Sequence, residues 1–375
     1  MIAAARHHIN ASPPASPSSF RPRVICAVAC AACAPMRGSC APHAPPIRAT
    51  MRLSAPASKL QQRCAAGVAV ASSGGEALLS ALRGGASGAR CATMEHGSAA
   101  HAAWASLREA LLASVHTDLP GIAADAPVSL AALGDVERRA LPALRLQAVA
   151  IHGRSASSLE ARLRAAGATQ PAGLMLVRGD ASSRPPGAAA SVDTAGLLRL
   201  AAALRSAGAL HPDTALCVAA NPLRDAPEAL LRKREAGAQA VLTQPALLPG
   251  RARAWFDAAA APGGPLADGG PPVLLGLALP TQPRDVALWL RLAEVDPADD
   301  DAAALLAAWR AAADAGPAAL ARHAADAVRE AMQLAASLPG IAGVHVMPLT
   351  PAGYALAAQL LPGMLQPPSF ARVAR

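Results

Sequence analysis

Aromatic side chains are scarce in this chain of 375 residues: one Tyr, three Phe and four Trp make up 2% of it. So few rings cannot furnish a base-stacking surface for nucleic acid. Acidic residues are absent from positions 1–75, where eight basic ones stand: Arg6, Arg21, Arg23, Arg37, Arg48, Arg52, Lys59 and Arg63. Of the formal charge of +9, eight therefore belong to this leader, because the rest of the chain holds 26 basic against 25 acidic residues. A nucleic-acid role for the folded part loses its electrostatic basis. Cysteine follows the same split. Cys26, Cys30, Cys33, Cys40 and Cys64 lie in the leader and only Cys91 and Cys217 beyond it, which excludes a disulfide framework for the folded part. The leader cysteines have no matching second pair of Cys or His, so no metal site is expected. The apolar run Val24–Met36 has 13 residues, short of the roughly 20 that cross a bilayer, and no membrane association is expected.

What the leader does contain is Ala, Ser, Pro and Arg, the composition of an organellar transit peptide that stays unfolded and cationic for import. The expected destination is a plastid, with a mitochondrion as the alternative. Residues 1–75 read as this leader, 76–94 as a linker, 95–366 as one folded domain and 367–375 as a tail.

From about residue 145 onward, short apolar runs alternate with amphipathic Ala/Leu/Arg segments, the pattern of βα units around a parallel sheet. Strands are predicted at Leu146–His152, Gly173–Arg178, Thr214–Ala220, Gln239–Thr243, Val273–Leu279 and Ile341–Met347. Helices are predicted at Ser158–Ala166, Thr194–Ala207, Pro227–Ala236, Arg284–Ala293 and Asp301–Leu338, the last interrupted near Gly316-Pro317. Three of them end in Ala-Gly-Ala, at Gly167, Gly208 and Gly237, where glycine can take a left-handed cap. Upstream, Glu95 stands in a short run before a helix read as His101–Ser114. Six such units with weaker signals before them, in a span of the right length, predict a single (β/α)8 TIM barrel behind the N-terminal extension. No glycine-rich dinucleotide fingerprint supports an open sheet instead. A barrel places its chemistry just past the C-terminal ends of the strands, which here are Asp180, Asn221, Gln244, Thr281, His345 and Thr350. Each of these is also ordinary turn or cap chemistry.

Three segments in order resemble the methylenetetrahydrofolate reductase family, flavin-dependent (β/α)8 enzymes of one-carbon metabolism. They are Leu174-Met175-Leu176-Val177-Arg178-Gly179-Asp180, the stretch from Leu231 to Ala238 followed by Val241-Leu242-Thr243-Gln244, and Gly340-Ile341-Ala342-Gly343-Val344-His345-Val346. The resemblance spans about 145–362 and implies an enzyme in which NAD(P)H reduces FAD, and FAD passes hydride to 5,10-methylenetetrahydrofolate to give 5-methyltetrahydrofolate. On that resemblance Asp180 would lie by the flavin ring and take part in catalysis, Lys233 would hold the flavin's phosphate side, and Gln244 would touch flavin and folate. Lys suits a phosphate as a point charge, and Gln can donate and accept toward a pterin-like ring. Glu95 would be the general acid that opens the folate ring. The implied partner is a small-molecule folate, and a homo-oligomer is left open.

The sequence also departs from the family. Ala148-Val149-Ala150-Ile151 stands where a His-bearing strand end would be, with His152 displaced; Asn221-Pro222 replaces Tyr-Pro, and Pro245-Ala246-Leu247-Leu248 replaces aromatics. The alternative is a diverged, non-catalytic barrel that binds a folate, a flavin or a protein partner.

Overall fold

A computed structural model describes residues 74–84, 91–96, 106–118, 131, 141–151, 154–179 and 192–365. The leader, the tail, His152 and Asp180 lie outside the described residues.

Eight parallel strands close into a barrel in sequence order: β1 (Cys91–His96), β2 (Ala113–His116), β3 (Leu144–Ala150), β4 (Gly173–Val177), β5 (Ala215–Ala220), β6 (Ala240–Pro245), β7 (Val273–Ala278) and β8 (Ile341–Met347), with β8 pairing back onto β1. Around them stand α1 (Gly75–Gly84), α2 (Ala156–Gly167), α3 (Thr194–Ser206), α4 (Pro227–Glu235), α5 (Pro249–Ala260), α6 (Pro283–Leu292), α7 (Asp300–Asp314), α8 (Pro317–Ser337) and α9 (Pro351–Leu360). The (β/α)8 architecture read from the sequence is therefore the architecture found. The six predicted strands coincide with β3 to β8 because each is buried on both faces, inside the barrel and under the helices, and so reads as a continuous apolar run.

The first two strands were hidden. Thr93, Glu95, Ser114 and His116 interrupt the apolar pattern, and β2 occupies the end of the stretch read as the helix His101–Ser114. The barrel also starts earlier than residue 95, and part of the stretch read as linker is helical. In α1, Leu78, Leu79 and Leu82 are buried among Ala113, Leu146, Ala215, Cys217, Leu242 and Leu274 inside the barrel. Gly75 is pressed against the strand starts, where a Cβ would lie 1.7 Å from the Asp213 carbonyl oxygen. Helix α1 thus closes the N-terminal end of the barrel. Leu78→Ala should lower stability by about 2–5 kcal/mol, the range for a buried leucine whose cavity cannot collapse, measured by denaturant unfolding of the full chain. A loss under half a kcal/mol would detach α1 from the core.

Two of the three Ala-Gly-Ala caps behave as read, with Gly208 at φ +73° and Gly237 at φ +101°. Gly167 does not. It stays within α2 and owes its place to packing, since a Cβ there would meet the Leu210 side chain at 2.5 Å; the left-handed residue is Gln170, at φ +47°. Helices α5 and α9, which the sequence reading omitted, both begin with proline, at Pro249 and Pro351, where the fixed φ and missing N–H suit a first helical turn.

The connection from β7 to β8 shapes the site. It carries three helices, and the first, α6, has its end drawn over the C-terminal mouth of the barrel. There the Asn221 side-chain amide donates to the Ala293 carbonyl at 2.7 Å. Arg178 after β4 and Arg224 after β5 both pair with Glu294, just beyond α6. Among the described residues, no helix is long and apolar enough to cross a membrane.

Candidate functional site

Small side chains on inward positions, among them Ala148 of β3 and Ala219 of β5, leave the upper part of the barrel unfilled. The result is a cavity of about 470 Å³ at the C-terminal mouth. Its walls include Glu95 from β1, Arg178 from the end of β4, Lys233 from α4 and Gln244 from β6, while Trp289 and Leu292 of α6 cover one side. The structure thus brings together three of the four site residues expected from sequence, Glu95, Lys233 and Gln244. The fourth, Asp180, lies outside the described residues.

Glu95 lies on β1 with its side chain 22% exposed, and its Oε1 is 3.7 Å from His345 Nε2. His345 is fully buried, and its Nδ1 is 2.9 Å from the Thr93 hydroxyl, its partner across the β1–β8 register. If the hydroxyl donates to Nδ1, the ring proton sits on Nε2, which among the described residues has no hydrogen-bond partner and is aimed at the carboxylate. Tyr354 of α9 donates to the Glu95 backbone carbonyl at 3.1 Å and fixes the strand end. Glu95 is thus a carboxylate open to the cavity on one side and backed on the other by an imidazole.

Across the ring of strands, near β5, the charge is mainly positive. Lys233 Nζ donates to the Ala219 carbonyl at 2.7 Å. Burial pushes its pKa down; Asp225 opposes this, and the like charges of Arg178 and Arg232 lower it further. Four cations, Arg178, Arg224, Arg232 and Lys233, line this side with three anions, Asp193, Asp225 and Glu294. Gln244 adds a buried side-chain carbonyl, Oε1, with no hydrogen-bond partner among the described residues. Cys217, deep in the barrel, has its thiol pushed up to about 12 by burial and is no nucleophile.

The other strand-end candidates serve the fold. Asn221 Oδ1 accepts from the Leu223 N–H in an Asn-Pro turn, Thr281 shares the Asp285 carboxylate at the start of α6, and Thr350 caps α9 through Gly353 N–H. Asp118, two residues past β2, was missed. Its buried carboxylate takes Arg154 and Arg162, each at 2.7 Å, and the Ala150 N–H at 3.0 Å. Its place just beyond a strand end was the available signal, lost because β2 itself was not recognised.

Comparison with protein-family models and with curated proteins finds no match. Solved structures do match. A 2,3-dimethylmalate lyase, a PEP mutase/isocitrate lyase superfamily member, is 14% identical over 77% of this chain and 85% of its own, with a TM-score of 0.45. A phosphonopyruvate hydrolase bound to oxalate and Mg++ is 14% identical over 78% of this chain and 85% of its own, with a TM-score of 0.40. A protein from Clostridium thermocellum that binds two copies of 5-methyl-5,6,7,8-tetrahydrofolic acid is 11% identical over 72% of this chain and 94% of its own, with a TM-score of 0.46. These are likenesses of fold alone.

The expectation drawn from the resemblance is corrected: no family model matches the chain, and the solved structures that do match include ones named as lyases and hydrolases, so membership of the methylenetetrahydrofolate reductase family is not retained. With it go hydride transfer from NAD(P)H through FAD to a methylenetetrahydrofolate, and the flavin that Asp180, Lys233 and Gln244 were expected to hold. The motifs behind the resemblance have work within the barrel itself: Gly237 ends α4 in a left-handed turn, Lys233 donates to the protein's own Ala219 carbonyl, and His345 is pinned by Thr93. Among the described residues, no group of three or more His, Cys, Asp or Glu is placed to hold a metal ion.

Proposed function

We propose that this chain is an enzyme whose barrel mouth binds a small anionic molecule and moves a proton on it through Glu95. The observation that carries this reading is the Glu95 carboxylate, open to the cavity and backed by His345 at 3.7 Å, on the opposite side of the ring of strands from the cluster around Lys233. An anionic group on the ligand compensates the surplus positive charge on the β4, β5 and α4 side. That arrangement leaves the rest of the ligand to extend toward Glu95, which can take a proton from it or return one. The His345 Nε2–H, when present, steadies the carboxylate in its charged form, and Thr93 holds the ring in the orientation this needs. Trp289, packed with Ala278 and Met347 at the ends of β7 and β8, gives the cavity an apolar wall, which strengthens charge interactions beside it. Folate, the substrate the resemblance implied, belongs to the same broad class of ligand through its carboxylate tail.

The test is thermal unfolding of the full chain with pyruvate, oxalate, inorganic phosphate or 5-methyltetrahydrofolate. At a hundredfold excess over Kd, a ligand bound only by the folded state adds about 2.7 kcal/mol of stability. At least one of these anions should raise the melting temperature, and Arg232→Gln should reduce the rise. No shift with any of the four would remove the anion site.

A further inference from the structure

The 375 residues contain 32 arginines but only two lysines, Lys59 and Lys233. Arginine takes almost every basic position, including both neighbours of Lys233, Arg232 and Arg234. Lys233, the lysine among the described residues, lines the cavity with its Nζ anchored 2.7 Å from the Ala219 carbonyl. An arginine is protonated at all working pH values and cannot act as an amine, whereas a lysine that is desolvated and set beside other cations can. From this placement, and resting on the reading of the cavity as an anion site, we propose that Lys233 is a nucleophilic amine that forms an imine with a small carbonyl compound bearing a carboxylate.

The geometry suits the step. A neutral lysine amine has two N–H bonds and one lone pair; the Ala219 carbonyl takes one N–H and fixes the nitrogen, and the lone pair is left for the cavity. Burial of Lys233, with Arg178 and Arg232 nearby, favours that neutral form, while Asp225 works against it. The ammonium first gives one proton to solvent. The nitrogen lone pair then adds to the carbonyl carbon as the carbonyl π pair moves to oxygen. Nitrogen passes one proton to that oxygen to give the carbinolamine. A solvent proton on the hydroxyl lets it leave as water while the nitrogen lone pair forms C=N, and the iminium returns one proton to solvent. One amine and one carbonyl enter, one imine and one water leave, and nothing is oxidised or reduced. The Arg178 and Arg232 guanidinium groups supply the charge for the carboxylate of such a compound. Glu95 lies on β1, opposite β5 in the ring of eight strands, on the side of the cavity away from the new bond.

The experiment is reductive trapping. The full chain is mixed with pyruvate and cyanoborohydride, together with a free N-acetyl-lysine amide as reference, and then digested for peptide mass spectrometry. The expected result is one reduced pyruvyl adduct on Lys233, formed faster than on Lys59. It should be lost in Lys233→Arg, provided circular dichroism shows that variant folded, and suppressed by oxalate, which has the carboxylates but no ketone. Labelling of the reference amide with none on Lys233, or equal labelling of Lys59 and Lys233, would overturn the proposal. The anion site is judged separately: if pyruvate raises the melting temperature of a chain whose Lys233 stays unlabelled, the imine falls and the anion site stands.

Discussion

Asp118→Ala should destabilise the barrel by about 3–5 kcal/mol, the cost of removing one partner from a buried ion pair. The large effect comes from what remains. The Arg162 side chain is 1% exposed and would lose the Asp118 carboxylate it holds at 2.7 Å, while the Ala150 N–H would lose its acceptor. Asp118→Asn should cost less, because the amide keeps the volume and an acceptor oxygen. The two variants are compared by denaturant unfolding, and equal, small losses for both would show that the pair contributes little. Acid provides a second measurement. Burial alone would raise the Asp118 pKa, but the Ala150 N–H, Arg162 and Arg154 together outweigh it and hold the carboxyl below its ordinary 3.8. The native state therefore takes up this proton less readily than the unfolded chain does. The contribution is complete above about pH 4 and is lost as pH falls through the lower, folded value. Wild type should lose stability on acidification below that point more steeply than Asp118→Asn, and parallel curves would refute the assignment.

Glu95→Gln should slow proton exchange on a bound carbonyl acid by on the order of 10²- to 10⁴-fold, the range for loss of a positioned acid–base group. Pyruvate in D₂O provides the assay, with methyl-proton loss followed by NMR in the presence of the full chain. Glutamine fills the same space and keeps a polar end toward His345, so the melting-temperature rise with oxalate should persist in the variant while exchange is lost. Undiminished exchange would remove Glu95 as the base. Loss of both oxalate binding and exchange would mean that Glu95 shapes the site without moving the proton.

Local chemistry made most of the barrel legible in the sequence. Strands β3 to β8 are buried on two faces and so read as apolar runs, and Gly208 and Gly237 mark helix ends because little else sits comfortably at a left-handed φ. Gln244 and His345 could be picked out because the mouth of a barrel lies where its strands end. The tertiary structure decided the rest. Strands β1 and β2 carry Thr93, Glu95, Ser114 and His116, whose polarity is tolerable only because partners in the folded barrel satisfy it, Thr93 and His345 across 252 residues and Ser114 and His116 side by side on β2. Helix α1 read as linker because its three leucines have no partner until the barrel closes above them. The same holds at the mouth. Glu294 binds two arginines from other loops, Asp118 buries two more, and Lys233 finds the Ala219 carbonyl only once α4 lies against β5. Apolar periodicity is a property of neighbours in sequence, so the sequence by itself determined the barrel, whereas the charge pairing of the site is a property of neighbours in space and was settled only when the strands closed.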